Sequence, residues 1–567
     1  MKIGFESVTV GESRRIRIYA PFEVKDAIKA VGGRWERARN YWTVAHTSVA
    51  IKMVSDSISA FASEPVEFRY ADAACEETAS QPSSVLDVTE VDFDDSVLPP
   101  WPHQKQGASM IGQMSGCMLA WDMGSGKSKA VCDAVVRFGF SRTIICCPTS
   151  VIRVWSREFK KHVKPSHNLV FVALDGSLSV ADRAKVLLDK CRECYQTSRP
   201  IVAAINYEAV WREAMSKIVC KIPWDLAVAD ESHRISSPST RIGKFMTKKL
   251  GPHAKHRVAL TGTPMSNGPL DVFGQFLFCE PGLFGAGFTR FRSRYCIMGG
   301  FEGRQVVDHQ NLPELTALMG TVSTRVKLND VVDLPPFRDE EIVVELCKDA
   351  ATAYCSLRDD FIAEFGQSSL VAVNAITKLL RLQQITSGYA MVVDDDSGDE
   401  EARQIEIDSS KSNALKDIIS SVAPGEPVVV FCRFVHDLQE TRRVAAGLGR
   451  RVWEISGNGN EQEEWEADCD LGLGPIIAVQ IQSGGVGIDL TRARYCVYYS
   501  LGFSLTDYVQ SRARVYRPGQ NRGVIYYHLI AKGTVDRVVY HALKTKQKVV
   551  DVVVESLTKG GDNTIVD

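Results

Sequence analysis

No run of about 18 apolar residues occurs in this chain of 567 residues, so no helix that crosses a bilayer is expected. A surplus of one charge is lacking too: 67 Lys and Arg stand against 69 Asp and Glu, a formal net charge of −2. Any affinity for a polyanion must then come from local basic surface, not from bulk charge. The 15 cysteines form no disulfide framework, which suits reduced thiols. Cys191 and Cys194 make a lone CxxC without a second pair at zinc-ribbon distance, so a solvated helix end is expected there. The 11 histidines join no acidic cluster of the kind a nuclease needs. Met1-Lys2-Ile3-Gly4 opens without the apolar stretch of a secretory signal. An intracellular protein, in cytoplasm, nucleoid or nucleus, is expected.

What is present is size and pattern. A chain this long exceeds one core and predicts three or four domains. Residues 1–62 read as a compact βαββα unit. Ile16 and Ile18 alternate with Arg15 and Arg17 as in a half-buried strand, and Pro21 starts a helix that Gly32-Gly33 stops. Trp35 and Trp42 flank a hairpin turn, and Thr47 is placed to cap a last helix. Residues 63–97 carry ten acids against Arg69 alone and read as an acidic linker. From Leu98 onward, short apolar runs alternate with helical patterns, the signature of a parallel α/β sheet. The pattern lapses after about Gln275 and resumes from Pro427. Two α/β lobes are predicted, at 98–275 and 408–535, with a helical insertion and connecting segment over 276–407 and a C-terminal helix and tail from 536.

The motifs sit where strands end. Gly124-Ser125-Gly126-Lys127-Ser128 lies between a strand and a helix, where backbone N–H groups can wrap a phosphate. Lys127 would reach the β- and γ-phosphates and the Ser128 hydroxyl would bind Mg²⁺; Lys129 is the next candidate for the nucleotide. Asp230 ends an apolar strand, where a carboxylate is costly unless it meets a cation. Glu231 follows it, with the reach to activate a water. Leu260-Thr261-Gly262-Thr263-Pro264 offers hydroxyls to that acidic pair or to His233. Late in the chain, Arg514 and Arg517 share a helix face and supply countercharge for a phosphoryl transition state. Together these residues can split ATP, and their wide separation in sequence points to two lobes working on one nucleotide.

At this point the chain resembles the Snf2-like branch of superfamily 2 helicase-type ATPases, from about Leu98 to Lys548. Leu119–Ser128 looks like motif I, Pro148–Trp155 like motif Ia, Asp230–His233 like motif II and Thr261–Asn267 like motif III. Gly485–Thr491 looks like motif V, and Gln510–Gln520 like motif VI with both arginines in register. Trp121 and Asp122 depart from the acidic pair usual in that branch. The resemblance implies two RecA-like lobes gripping ATP and Mg²⁺. Gln104 would read adenine, Ser128 and Asp230 would hold the metal, and Gly124, Ser125, Gly126, Asp489 and Gln510 would complete the nucleotide site. It also implies a DNA-dependent ATPase, expected as a monomer, that tracks along double-stranded or forked DNA. Thr149, Ser150, Asn206, Arg234 and Ser483 are the candidate DNA contacts. The rival readings are a strand-separating helicase on DNA or RNA and an ATP-switched DNA clamp.

The first sixty residues resemble the HARP-type domain of annealing helicases, through Ile28-Lys29, Gly33-Arg34-Trp35 and Tyr41-Trp42. Arg14, Arg15, Arg17, Arg34, Arg37 and Arg39 interleave with Trp35, Tyr41 and Trp42. Either those aromatics stack on exposed bases beside basic groups that follow phosphates, or the two tryptophans form the core of a small domain.

Overall fold

The computed structural model describes residues 1–10, 13–37, 39–62, 64–81, 84–93, 96–266, 268–285, 287–299, 305–365, 372–393, 402–484 and 488–545. The chain divides into two units, Met1–Val331 and Val332–Asp567.

The first unit opens with a five-stranded sheet in the order Arg34–Glu36, Tyr41–Ala45, Ser13–Tyr19, Lys2–Val10, Glu67–Tyr70. Ile16 and Ile18 pack with Ile3, Phe5 and Val44 under Ile28, Ile51, Val54 and Ile58. The Thr47 hydroxyl accepts from the Ala50 N–H at 3.2 Å, capping the helix Ser48–Phe61 as expected. The linker expected over 63–97 is corrected. Glu67–Tyr70 pairs in parallel with Lys2–Val10, and Asp72 caps the helix Ala73–Ser80, accepting from Cys75 N at 2.8 Å. Acidic composition masked a short alternation, Glu67-Phe68-Arg69-Tyr70, followed by a capping residue. Further on, Thr89 and Gln113 exchange hydrogen bonds and Phe93 is buried, so this stretch runs along the helix Pro102–Gln113.

This module is built into the unit. Arg290 donates to Lys29 O and Ala30 O, each at 3.0 Å. A Cβ on Gly282 would lie 2.8 Å from that of Ala50, a closeness that only glycine permits.

The remainder of the unit is a seven-stranded sheet in the order Ser323–Val326, Gly116–Trp121, Ala254–Thr261, Trp224–Asp230, Arg142–Cys147, Ile201–Asn206, Val170–Leu174. All six pairings are parallel. Strands such as Gly116–Trp121 and Trp224–Asp230 are buried along their whole length, as a sheet covered on both faces requires. The second unit holds another seven-stranded sheet, ordered Phe337–Val344, Val524–Ala531, Tyr495–Tyr498, Val428–Cys432, Ile476–Gln480, Val452–Ser456, Gly459–Asn460. All pairings are parallel except the last.

The helical insertion and connecting segment expected over 276–407 also holds strands. It contributes Ser323–Val326 to the first sheet and Phe337–Val344 to the second, besides helices and two antiparallel strand pairs. Phe337–Val344 carries four charged residues, so its apolar content gives no strand signal; it pairs at one border of the sheet, where charge is tolerated.

Candidate active site

Parallel strands deliver their carboxyl ends to one edge of a sheet, and ligands gather there. Across the first sheet that edge presents, in turn, the loop after Trp121, the turn after Thr261, Asp230-Glu231, the turn after Cys147, and Asn206. Phosphate loop and acidic pair are thus one strand apart. Of the candidate DNA contacts, Thr149, Ser150 and Asn206 lie on the far side of the acids.

The phosphate loop needs its glycines. Gly124 and Gly126 have φ of 83° and 87°, and Gly126 begins the helix Lys127–Arg137. Gln104 is buried against the loop: its Oε1 accepts from Trp101 N at 3.0 Å and its Nε2 donates to Ser125 O at 3.1 Å. His103 Nε2 donates to the same carbonyl at 2.8 Å. One end of the Gln104 amide is therefore fixed by the start of its own helix while the other braces the loop. A Cβ on Gly126 would fall 2.1 Å from Gln104 Nε2. Gly126→Ala should accordingly weaken nucleotide binding at least about tenfold, from a left-handed backbone cost of about 1–2 kcal/mol and a displaced brace. Titration with a fluorescent ATP analogue measures it, and native affinity in the variant would exclude this account of the loop.

Lys127 Nζ donates to Trp121 O at 2.8 Å and Asp122 O at 3.3 Å, and Ser125 Oγ donates to Asp122 O at 2.7 Å. Ser128 follows on the first turn of the helix, half-buried. Lys129 is a correction: its ammonium is buried and bonded to both oxygens of Asp133, at 2.7 and 2.9 Å. An i,i+4 pair inside the fold takes that side chain away from any nucleotide. Trp121 and Asp122 have their own task. The Trp121 indole donates to Thr324 Oγ1 at 2.9 Å, and Asp122 Oδ2 accepts from Leu328 N at 3.0 Å, pinning the border strand Ser323–Val326 to the loop.

Asp230 is buried at its strand end. Its Oδ2 accepts from Trp155 Nε1 at 2.9 Å, and its Oδ1 from Glu231 N at 3.0 Å. Burial first, and then the neighbouring Glu231 carboxylate, hold its carboxyl well above the ordinary range, while the Trp155 N–H and then Lys127 pull the other way. An acidic pair so placed wants a cation, which fits Mg²⁺ held by Asp230 and Ser128. Glu231 has a φ of 50°, a strained conformation for a residue with a side chain, and lies 3.4 Å from His233 Nδ1.

The sequence offered no signal for Gln275. It is fully buried, accepts from Ser232 Oγ at 2.7 Å, and donates to Pro264 O and Asp271 O, both at 2.8 Å. This amide joins the acidic motif to the turn after Thr261. The Thr261 hydroxyl instead accepts from Thr263 N at 3.1 Å. Asn267 lies outside the described residues.

Thr149 and Ser150 are exposed in the turn Thr149–Val151. Asn206 and Arg234 meet on one carboxylate, Glu208, at 3.0 and 3.4 Å. In the second unit the helix Leu505–Val515 buries Gln510 and Arg514. Arg517 Nη1 donates to Ile488 O at 3.4 Å, and Leu490 N donates to Arg514 O at 3.0 Å, tying both arginines to the segment around Asp489. Asp489 itself is exposed and accepts from Thr491 N and Oγ1. Gln520, the last residue of the motif VI stretch, donates to Thr491 O and Ala493 O and holds that segment. Gly485–Gly487 and the Ser483 side chain lie outside the described residues.

The N-terminal tryptophans are 5.3 Å apart, Trp35 exposed and Trp42 half-buried against the module's core. Strand register sets them apart from Arg17 and Arg34. Trp35 pairs with Trp42 and Ile18 on the core side, whereas Arg17, Thr43 and Arg34 share the opposite face. There the Arg17 guanidinium lies 4.3 Å from both the Tyr19 and Tyr41 rings.

Residues 35–389 match the SNF2-related domain, well over half of the chain. The chain belongs to the SNF2-related family. Residues 410–519 of this SNF2-related chain match the helicase conserved C-terminal domain. It is similar to the SWI/SNF-related matrix-associated actin-dependent regulator of chromatin subfamily A-like protein 1 homolog of Caenorhabditis elegans, at 25% identity over 95% of this chain and 74% of that protein. It is similar to the DNA repair and recombination protein RAD54B of Homo sapiens at 22% identity, over 82% of this chain. The chain spans 55% of that human relative's length. The Sulfolobus solfataricus SWI2/SNF2 ATPase core solved in complex with dsDNA has 22% identity and a TM-score of 0.38, covering 84% of this chain and 98% of that one. Among the described residues, no helix is long and apolar enough to cross a membrane.

Proposed function

We propose that this SNF2-related chain is an ATP-dependent translocase on double-stranded DNA. The observation that carries the reading is the order along the edge of the first sheet: phosphate loop, then acidic pair, then exposed hydroxyls and the Asn206 amide. Lys127 and the backbone amides of Gly124–Ser128 would hold the triphosphate, and Ser128 and Asp230 would hold Mg²⁺, which supplies charge neutralisation at the β- and γ-oxygens. Glu231 would receive the proton of the attacking water, and Arg514 and Arg517 would supply transition-state countercharge. Thr149, Ser150, Asn206 and Arg234 would meet phosphates, a role for short hydroxyl, amide and guanidinium groups. The names of relatives such as RAD54B support DNA as the track.

ATPase rates with duplex DNA, single strands, forks and RNA, together with displacement of a triplex-forming strand, test this reading. Duplex-stimulated turnover and triplex displacement that both fail in Lys127→Ala are the expected results. Displacement without hydrolysis would favour the clamp, and unwinding of tailed RNA would favour a helicase.

A finer role at forks is proposed for the N-terminal module, supported by alignment of the nematode relative over 95% of the chain. Its exposed residues are the ones to test, because removing residues 1–62 would strand Glu67–Tyr70 and uncover Gly282. Arg14→Glu with Trp35→Ala should reduce fork regression or strand annealing about tenfold or more, the scale of one lost stacking contact plus a lost phosphate contact. Duplex-stimulated ATPase should stay within about twofold of native. Equal loss on duplex and fork would remove the fork-specific role.

A further inference from the structure

We infer that Trp155 is a positioning residue for the metal-binding carboxylate, and that through it the turn Thr149–Val151 is linked mechanically to the ATP site. The inference rests on the reading above that Asp230 holds Mg²⁺.

The helix Ile152–His162 begins directly after that exposed turn and lies in the fold with Trp155, Phe159 and Ile152 buried. Trp155 is 1% exposed, and its indole N–H reaches across 75 residues of sequence to Asp230 Oδ2 at 2.9 Å. The ring is held in turn by Phe159, with centroids 6.2 Å apart, and Phe159 by Phe171 at 5.5 Å on the strand Val170–Leu174. The other carboxylate oxygen is taken by the N–H of Glu231, so the plane of the Asp230 carboxylate is fixed from two sides.

An indole suits this task chemically. It is a donor only, so it cannot compete with the carboxylate as a metal ligand, and it does not titrate. A lysine or arginine there would satisfy Asp230 with a full charge and displace the cation; a histidine could bind the metal itself. The neutral N–H instead leaves the Asp230 charge available and sets its direction, as partners behind a metal ligand generally do. Because the indole sits on the first turn of the helix that directly follows Thr149–Val151, a shift of that turn moves the donor against Asp230. Contact of the turn with a phosphate backbone is thereby coupled to the geometry at the cation.

The test replaces Trp155 in the full chain by Phe and by benzothienylalanine, the isostere in which sulfur stands for the indole N–H. Mn²⁺ affinity in the presence of ADP is read by electron paramagnetic resonance, and the ratio of ATPase with and without duplex is measured in parallel. Both variants should bind Mn²⁺ at least about threefold more weakly, the effect of one lost charge-assisted donor. Their duplex stimulation should fall by a similar or larger factor. Native Mn²⁺ affinity in the benzothienylalanine protein would overturn the positioning role, including the case where only Phe is impaired, which would mean packing alone. Weakened Mn²⁺ binding with unchanged duplex stimulation would overturn the link to the turn. If the native protein held no Mn²⁺ with ADP, the assignment of Asp230 itself would fall, a result distinct from the others.

Discussion

Glu231→Gln should leave a folded chain that still binds nucleotide yet turns over ATP about 10²–10⁴-fold more slowly, the usual contribution of a positioned general base. The amide matches the carboxylate in size, so the 3.4 Å approach to His233 and the packing of a residue only 7% exposed are preserved. What vanishes is the ability to take a proton. The backbone argues independently for function. At a φ of 50°, a glutamate bears strain that asparagine or glycine would relieve, and strain of about 1–3 kcal/mol persists where geometry serves chemistry. Burst and steady-state ATPase assays with equilibrium ATP binding separate the terms. An unchanged rate at saturating ATP and duplex would show that water is activated elsewhere.

The parts of this site that were legible in the sequence are those whose chemistry restricts the residue. Glycines at φ of 83° and 87°, a lysine after them, and acids closing an apolar strand can each be read without coordinates. Strand ends were equally plain where both faces are buried, because Val, Ile and Ala then run without alternation. What escaped is whatever depends on distant residues meeting. Gln275 looks like any helical glutamine until Ser232 and Pro264 arrive on either side of it. Lys129 looked like a second phosphate lysine because sequence does not show which way a helix turns its faces, and Asp133 claims it. Trp35 and Arg34 are adjacent in sequence and therefore face opposite sides of a strand, a period-two consequence that composition conceals. The acidic stretch after residue 63 failed as a linker for a related reason: four alternating residues suffice for a strand when Lys2–Val10 offers an open neighbour.

The largest loss of stability should follow Arg257→Met. Arg257 is 6% exposed on the strand that ends at Thr261, and it donates to Cys279 O at 3.1 Å and to Ser115 O at 2.9 Å. Glu280, 1% exposed, accepts from Ser115 Oγ at 3.2 Å and Gly282 N at 3.3 Å, and from the side chain of Thr47. One charge of each sign is therefore buried where three segments meet: the start of the Gly116–Trp121 strand, the strand of Arg257, and the N-terminal module. Removing the cation takes away the charge opposite Glu280 and the donor to Cys279 O, while Ser115 O keeps the Arg257 N–H at 3.1 Å; the cost is about 3–5 kcal/mol.

Burial raises the Glu280 carboxyl above its ordinary value and outweighs the pull of Arg257. A carboxyl with a raised folded value binds its proton more tightly when folded. Its contribution is thus favourable at low pH and lost as pH rises through that value. Glu280→Gln, a standing mimic of the protonated form, should flatten this part of the stability-pH profile, and Arg257→Met should steepen it. Combined with Glu280→Gln, Arg257→Met should recover about 1–3 kcal/mol relative to simple addition, because no unpaired charge remains. Pulse proteolysis in urea at several pH values, with cleavage mapped to residues 1–81, reads both stability and release of the module. Strict additivity of the two substitutions would mean that Arg257 and Glu280 do not sense each other, and that the junction is held instead by packing at Ala50 and Gly282 and by the Arg290 hydrogen bonds to Lys29 O and Ala30 O.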